Sequence, residues 1–548
     1  MQPPNTSSVA ALPIVSVIRR YEPQLIITTF PKIGNDLKVQ AKKLVIRADA
    51  SPQMGTGHVM RMLALAKAWQ CRGGSVTYVS AFLPDSILNR LREACIDVQM
   101  LDSISNPADF LIGSDDDARD TALIAESCQA EWIVADGYAF DPKFQMAVRK
   151  SGVKLAIIAD SNCFDQWCCD LLLNQNPHAL SEAYRSSVKY CRFLLGTRYA
   201  LLREEFGELQ LAASESTRGD ERLRILVTLG GSDADNATGS IVEKLESLSD
   251  QSISLRVLIG AANPNRAALH ALLARSRHDA EMLTNVSNMP EQYKWADAVI
   301  SAGGSSCWEW IYFGLPAAIV VIAENQRPIY DTLVQDGIAV GLGETATLLG
   351  SSATERLAEF VEQLRMKRSD PLRYRHIVDG FGAQRFAAAL DSGMWLRRAT
   401  HDDRELYYHW AQDPAVRANS LNSDPIPWDS HCDWFAKQLA RGDTVMLVAM
   451  REETAVGQIR FSQTEHHEWN VAFSVDSESR GRGTGRQLLM LGTQWMFHHR
   501  LSPLIATVKV GNDASANCFR RLNWESIPSN DSTLFRFRKS QSLSGNER

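Results

Sequence analysis

Little in this 548-residue chain points to a membrane, a nucleic acid or an oxidising compartment. No apolar run approaches the ~20 residues that span a bilayer. No Lys/Arg run breaks the balance of 58 basic against 64 acidic residues, and the net charge of −6 argues against nucleic-acid binding. The ten cysteines fall at irregular intervals with no Cys-x-x-Cys, which leaves neither a disulfide framework nor a zinc knuckle. The opening MQPPNTSSVAALPIVSVIRRYEPQ lacks the basic start of a signal peptide; Arg19 and Arg20 follow its short apolar run instead. These absences predict a cytoplasmic protein without membrane insertion, and they set no oligomeric state.

The length is too great for one core and suggests three packed units. A hydrophobic fraction of 45% and a charged fraction of 22% are ordinary for a globular protein. Residues 1–42 show no pattern and form an extension without an assigned role. From Lys43, short β-rich runs (KLVIRAD, SVTYVS, AEWIVADGY, VKLAIIAD) alternate with helical text such as HVMRMLALAKAWQ. That alternation predicts a Rossmann-like domain over 43–215 with a parallel sheet covered on both faces. After a polar linker near 207–222, LRILVTLGGSD, LRVLIGAANPN, ADAVISAGGSSCWEWIYFG and PAAIVVIA repeat the pattern over 222–390. Two such α/β halves imply a cleft between them. Near Asp391 the pattern changes to closely spaced strands, which predicts a mixed α+β domain over 394–540.

In that last domain Arg480-Gly481-Arg482-Gly483-Thr484-Gly485 follows the strand WNVAFSVD and opens the helix RQLLMLGTQWMFHH. Glycines there let backbone N–H groups crowd a pyrophosphate at a helix N-terminus. Taken alone, such a turn is as often a simple tight turn. Downstream, LIATVKVGNDASANCFRRLNWE carries Asn512 and Ser515; upstream stand WAQDPAVRANS and His431…Trp434. The whole segment resembles the GCN5-related N-acetyltransferases (GNAT). The resemblance implies acetyl-CoA as co-substrate, lying where a strand splays from its neighbour. Backbone around Val475 would hold the pantetheine, residues 480–485 the pyrophosphate, with Asn512 and Ser515 alongside. A Tyr that often protonates the leaving thiolate is replaced by Phe519, and no Tyr follows Tyr408. Glu468, at the strand start, is a candidate base for the amine, against the commoner role of a solvated charge.

Upstream, Gly55-x-Gly57-His58 sets an imidazole on the first turn of a helix that follows a strand. The positive helix end disfavours an imidazolium there and suits the ring to act as a base. A capping His is the plainer alternative; the position at a strand's carboxyl end favours function. SAGGSSCWEW followed by AENQ resembles the nucleotide half of GT-B glycosyltransferases. That resemblance assigns Gly303, Gly304 and Ser305 to phosphate, Glu309 to ribose, and Asn325 and Gln326 to the sugar, with Gly230 and Gly231 of LGGSD and the NVSNM stretch (285–289) lining the same cleft. RADASPQMGTGHVMR, ADGY, GTRYALLREEF, LGGSDADN and GGSSCWE…ENQ, in that order, are similar to the UDP-2,4-diacetamido-2,4,6-trideoxy-β-L-altropyranose hydrolases of pseudaminic acid synthesis. That family breaks the anomeric C–O bond with inversion and needs no metal. By the resemblance His58 activates water, Tyr138 stands near it, and Arg47, Asp49 and Gly57 are further substrate contacts. Trp308 departs from the Asn that some members carry before the helix Glu.

The expectation is a bifunctional enzyme that hydrolyses a UDP-sugar and uses acetyl-CoA to acetylate an amine. The 4-amino UDP-sugar that precedes hydrolysis is the simplest acceptor. A GT-B glycosyltransferase, a non-catalytic sugar-nucleotide-binding protein and a peptide N-acetyltransferase are the alternatives.

Overall fold

The computed structural model describes residues 42–51, 54–101, 111–179, 184, 191–207, 222–230, 233–248, 253–260, 263–284, 286, 288–366, 373–374, 376–391, 393–452, 454–499 and 501–540. The expected extension before Lys42, most of the expected linker, Gly231, and Asn285 and Ser287 of NVSNM lie outside them.

The first sheet contains β1 (Lys43–Ala48), β2 (Ser75–Ser80), β3 (Asp97–Met100), β4 (Trp132–Asp136), β5 (Lys154–Ile158), β6 (Leu171–Asn174) and β7 (Arg192–Leu195). All its pairings are parallel, in the order β3-β2-β1-β4-β5-β6-β7. The second contains β8 (Leu223–Thr228), β9 (Ile253–Ile259), β10 (Asp279–Thr284), β11 (Ala298–Ala302), β12 (Ala317–Val321) and β13 (Val340–Glu344), parallel in the order β10-β9-β8-β11-β12-β13. The near-continuous apolar runs explain this choice: every residue of β4, β11 and β12 is buried, as strands covered on both faces must be. The fold is therefore two Rossmann-like α/β halves in a GT-B arrangement.

The halves exchange chain at their junction. The helix Gly382–Leu390 returns from the second half to bury Ala383, Phe386, Ala387 and Leu390 in the core of the first. Ala200, Leu202 and Phe206 of the first half join the core of the second. At Gly382 a side chain would meet the Ala200 carbonyl oxygen at 2.2 Å, so the return demands glycine.

The third sheet holds β14 (Met394–Arg398), β15 (Thr444–Arg451), β16 (Thr454–Gln463), β17 (Trp469–Val475), β18 (Leu504–Lys509), β19 (Glu525–Ile527) and β20 (Leu534–Lys539), in the order β14-β15-β16-β17-β18-β20-β19. Every pairing is antiparallel except β17 with β18. That parallel pair stops at Val471 and Ala506, although β17 runs on to Val475 and β18 to Lys509. The strands part there and open a V. No helix among the described residues is long and apolar enough to cross a membrane.

Candidate active sites

In each parallel sheet the strand order reverses at one place, between β1 and β4 in the first and between β8 and β11 in the second. Loops leave such a switch point in opposite directions and open a crevice at the strands' carboxyl ends. His58 lies on the first turn of the helix Gly57–Cys71 after β1, and Asp136 ends β4. Their strands pair in register up to Ala48 and Asp136, which brings the two side chains together. His58 Nδ1 is 2.8 Å from Asp136 Oδ1.

Arg61, one turn further along the helix, completes a buried network. It donates to both oxygens of Asp136 at 2.7 and 2.6 Å and to Asp160 at 2.6 and 3.0 Å. The two hydrogens of Arg61 Nη2 are taken by Asp136 and Asp160, so its 3.1 Å approach to His58 Nδ1 is a contact without a proton. His58 Nδ1–H therefore donates to Asp136, and the Nε2 lone pair is left for the cleft. Burial alone would raise the Asp136 carboxyl, yet the Arg61 guanidinium and His58 hold it at about 2. Asp160 is likewise held below its ordinary value by Arg61, against its own burial. Tyr138 stands edge-on to His58 with ring centroids 5.0 Å apart and donates to Asp160 at 3.3 Å. Burial and the Asp160 charge push its hydroxyl up to about 12, so it keeps its proton.

The second half closes on this network. Asn325 Nδ2 donates to the Tyr138 hydroxyl at 2.8 Å. A side chain at Gly57 would lie 3.7 Å from Ser305 Oγ, so the two turn tips nearly touch across the cleft. Gly303 N–H bonds to the Val320 carbonyl, whereas the N–H groups of Gly304 and Ser305 meet no protein acceptor among the described residues. Gln326 backs this turn: its amide oxygen accepts from Ile322 N–H, and a side chain at Gly304 would meet its Nε2 at 3.6 Å. Glu309 accepts from the Tyr293 hydroxyl at 3.0 Å and lies 3.6 Å from Arg203. Burial raises its carboxyl above the ordinary value, with Arg203 opposing. Trp308 is buried in the core, so that departure from the family pattern sends no side chain into the cleft. Gly230 has φ +94°, a left-handed conformation that favours glycine.

Two expected substrate contacts lie elsewhere. Arg47 is fully buried, bonded to Asp49 at 2.6 Å and to Asp117 at 2.8 and 2.9 Å. Asp49 accepts from Ser80 Oγ and from Ala81 and Phe82 N–H. Both side chains bond inside the first half, where they tie β1 to its neighbours.

In the third domain a groove of about 1380 Å³ runs along the opened V. Val475, Arg480, Gly481, Gly483, Thr484, Gly485, Asn512 and Ser515 line it. Gly481 and Gly483 sit at φ +76° and +77°, which bends the backbone so that the helix Thr484–His498 begins facing the groove. Thr484 Oγ1 is buried without a partner among the described residues. Arg480 is committed to the fold: Nε bonds the Val475 carbonyl at 3.0 Å and Nη2 pairs with Asp413 at 2.9 Å. Asn512 caps the next helix by accepting from Ser515 N–H at 3.2 Å. Arg482 is exposed and is not among the groove's lining. Glu468 is not among it either; its carboxylate pairs with Arg538 at 3.0 Å. Phe519 lines the groove while stacking on Phe537 at 5.1 Å, and it has no proton to give.

Sequence reasoning missed Asp136, Arg61, Asp160 and Arg203. A signal existed for the first three: Asp136 and Asp160 follow adjacent strand-like runs, and Arg61 shares a helix face with His58 at i+3. It also missed Arg460, which lines the groove over the Trp434 ring at 5.0 Å with no carboxylate in ion-pair range among the described residues.

Residues 394–525 match the acetyltransferase (GNAT) domain family, and residues 224–387 match the glycosyltransferase family 28 C-terminal domain. An uncharacterised protein of Methanocaldococcus jannaschii is 22% identical over 513 residues, which cover 88% of this chain and 96% of that protein. The UDP-2,4-diacetamido-2,4,6-trideoxy-β-L-altropyranose hydrolase of Campylobacter jejuni is 24% identical over 300 residues, 54% of this chain and 98% of that enzyme. A spore coat polysaccharide biosynthesis protein of Bacillus subtilis is 28% identical over 206 residues, 36% of this chain and 58% of that protein. The chain thus joins a region similar to a UDP-sugar hydrolase to a segment that matches the acetyltransferase (GNAT) domain family.

Proposed function

We propose that the two α/β halves hydrolyse UDP-2,4-diacetamido-2,4,6-trideoxy-β-L-altropyranose and that the third domain acetylates its 4-amino precursor with acetyl-CoA. The observation that carries the first part is the Asp136–His58 pair set against the Gly303–Ser305 turn across the cleft. Asp136 orients His58, whose Nε2 takes a proton from water. The water oxygen attacks the anomeric carbon as the bond to the diphosphate oxygen breaks on the opposite face, which inverts that centre. UDP leaves towards the N–H groups of Gly304 and Ser305, where its growing negative charge is stabilised. Tyr138 and Asn325 shape the water's side of the sugar. This reading gives a metal no part in the bond breaking.

For the acetyltransferase, the groove's charge supports the acceptor. Besides Arg480, which is paired with Asp413, four arginines line it (Arg417, Arg460, Arg486 and Arg521) against one lining carboxylate, Asp424. A polyamine or a basic peptide would meet like charge there; an amine carried on a diphosphate sugar would not. The neutral amine attacks the thioester carbonyl, the C–S bond breaks, and CoA leaves as a thiolate. With Glu468 turned to Arg538 and Phe519 without a proton, water accepts the amine's proton and supplies the thiolate's.

The test uses the full chain. With the diacetamido UDP-sugar, NMR should show UDP and the inverted free sugar without any acceptor; turnover only when a sugar acceptor is added would make the enzyme a glycosyltransferase. With acetyl-CoA and the 4-amino UDP-sugar, free CoA should appear. Acetylation of peptide N-termini, with none from the amino sugar, would overturn the second half.

A further inference from the structure

We propose that Cys71, Glu204, His498 and His499 bind one zinc ion that clasps the hydrolytic half to the acetyltransferase domain. These residues are far apart in the sequence and meet only at the contact between the two units. Cys71 ends the helix Gly57–Cys71, Glu204 begins the short helix Glu204–Gly207, and His498 ends the helix Thr484–His498.

The ligand atoms already stand near coordination distances. Cys71 Sγ is 3.5 Å from Glu204 Oε1, and His498 Nε2 is 3.2 Å from the same oxygen. His499 Nε2 is 3.7 Å from it. Bonds of about 2.0–2.3 Å at tetrahedral angles place an N/O ligand pair about 3.3 Å apart and an S/O pair about 3.5 Å apart. Ligand atoms of Cys71, Glu204 and His498 all lie within 4.8 Å of one another. His499 Nε2 approaches Glu204 but lies outside that mutual range, so it joins the set only by moving towards Cys71 and His498.

The surroundings suit a metal as well. His499 Nδ1–H donates to the Trp495 carbonyl at 2.7 Å, and its ring stacks on Trp495 at 3.8 Å. That bond leaves the lone pair on Nε2, towards Glu204, as an oriented histidine ligand requires. The side chains of Glu204, His498 and His499 are only 29%, 18% and 16% exposed, so an ion entering there would be largely shielded from water. One thiolate, two imidazoles and a carboxylate form a donor set typical of zinc and foreign to calcium or magnesium. Binding would displace the Cys71 thiol proton to solvent as the Zn–S bond forms.

The two long helices in this clasp begin at the two active sites. One carries His58 and Arg61 on its first turns, and the other starts at the Gly483 turn of the groove. The site thus ties together the far ends of the two helices.

The test is a cobalt titration of the full chain after chelator treatment. One equivalent should bind with a thiolate-to-cobalt absorption in the near ultraviolet, and zinc should displace it. The band should vanish in Cys71→Ser, and His498→Gln should weaken cobalt binding about tenfold or more. No binding in wild type, or an unchanged band in Cys71→Ser, overturns the proposal. Should Cys71→Ser fail to fold, alkylation of wild type decides: zinc should protect Cys71 but not the exposed Cys95. Equal alkylation of Cys71 with and without zinc also overturns it.

Discussion

The cleft proposed for hydrolysis and the groove proposed for acetyl-CoA are built on opposite electrostatic plans. In the cleft, His58, Arg61, Asp136 and Asp160 are bonded into one network, with the exposed Tyr138 at its edge, that fixes a tautomer and aims one nitrogen. The groove is lined instead by glycine turns and arginines. The difference fits the two proposed reactions. Water is a poor nucleophile and needs a base fixed beforehand. A thioester is already activated, so an amine needs placing more than it needs proton transfer.

The largest expected effect tests the wired half. His58→Ala should lower hydrolysis by about 10²–10⁴-fold while UDP affinity, measured by calorimetry, stays unchanged. A folded variant with near-normal turnover would remove this residue from the mechanism. In the other site, Gly483→Glu forces a side chain into a left-handed conformation at a cost of about 1–3 kcal/mol and sets a negative charge against the pyrophosphate. Acetyl-CoA binding should fall accordingly with hydrolysis untouched; equal loss of both activities would mean that the variant unfolds rather than blocks one site.

A third substitution, Glu309→Ala, should weaken UDP by about 1.5–3 kcal/mol, the usual worth of charged hydrogen bonds. Unchanged UDP binding would mean that Glu309 serves Tyr293 and Arg203 alone. Asp136 makes the fourth test. Its carboxyl titrates at about 2 rather than its ordinary 3.8, so the unfolded chain takes up the proton first as pH falls. The stabilisation, on the order of 2 kcal/mol, is complete above about pH 4 and lost towards pH 2. Urea midpoints of wild type should fall across that window more steeply than those of Asp136→Asn; parallel profiles would refute the assignment. The smallest effect is expected at Glu468→Gln, whose ion pair with Arg538 is worth about 1 kcal/mol or less. Acetyl transfer should change by less than a factor of about 5. A loss of a hundredfold would restore Glu468 as a base.

Both parallel sheets and the turn to a mixed sheet near Asp391 were legible in the sequence, because buried strands must be apolar throughout and glycine turns must follow them. Local grammar also marked His58, Gly303–Ser305 and Gly481–Gly485, since a turn bearing N–H groups at a helix start is written in consecutive residues. It misdirected Arg47 and Asp49, which share a string with His58 but face into the first half. Adjacent positions on a strand point to opposite faces, and a string does not say which face meets the cleft. What only the tertiary structure decided is pairing at a distance: Asp136 with His58, Asn325 with Tyr138, Glu468 with Arg538, and Cys71 with His498. Strand order, and the return of the chain across two halves, set those distances, and neither is encoded within any one segment.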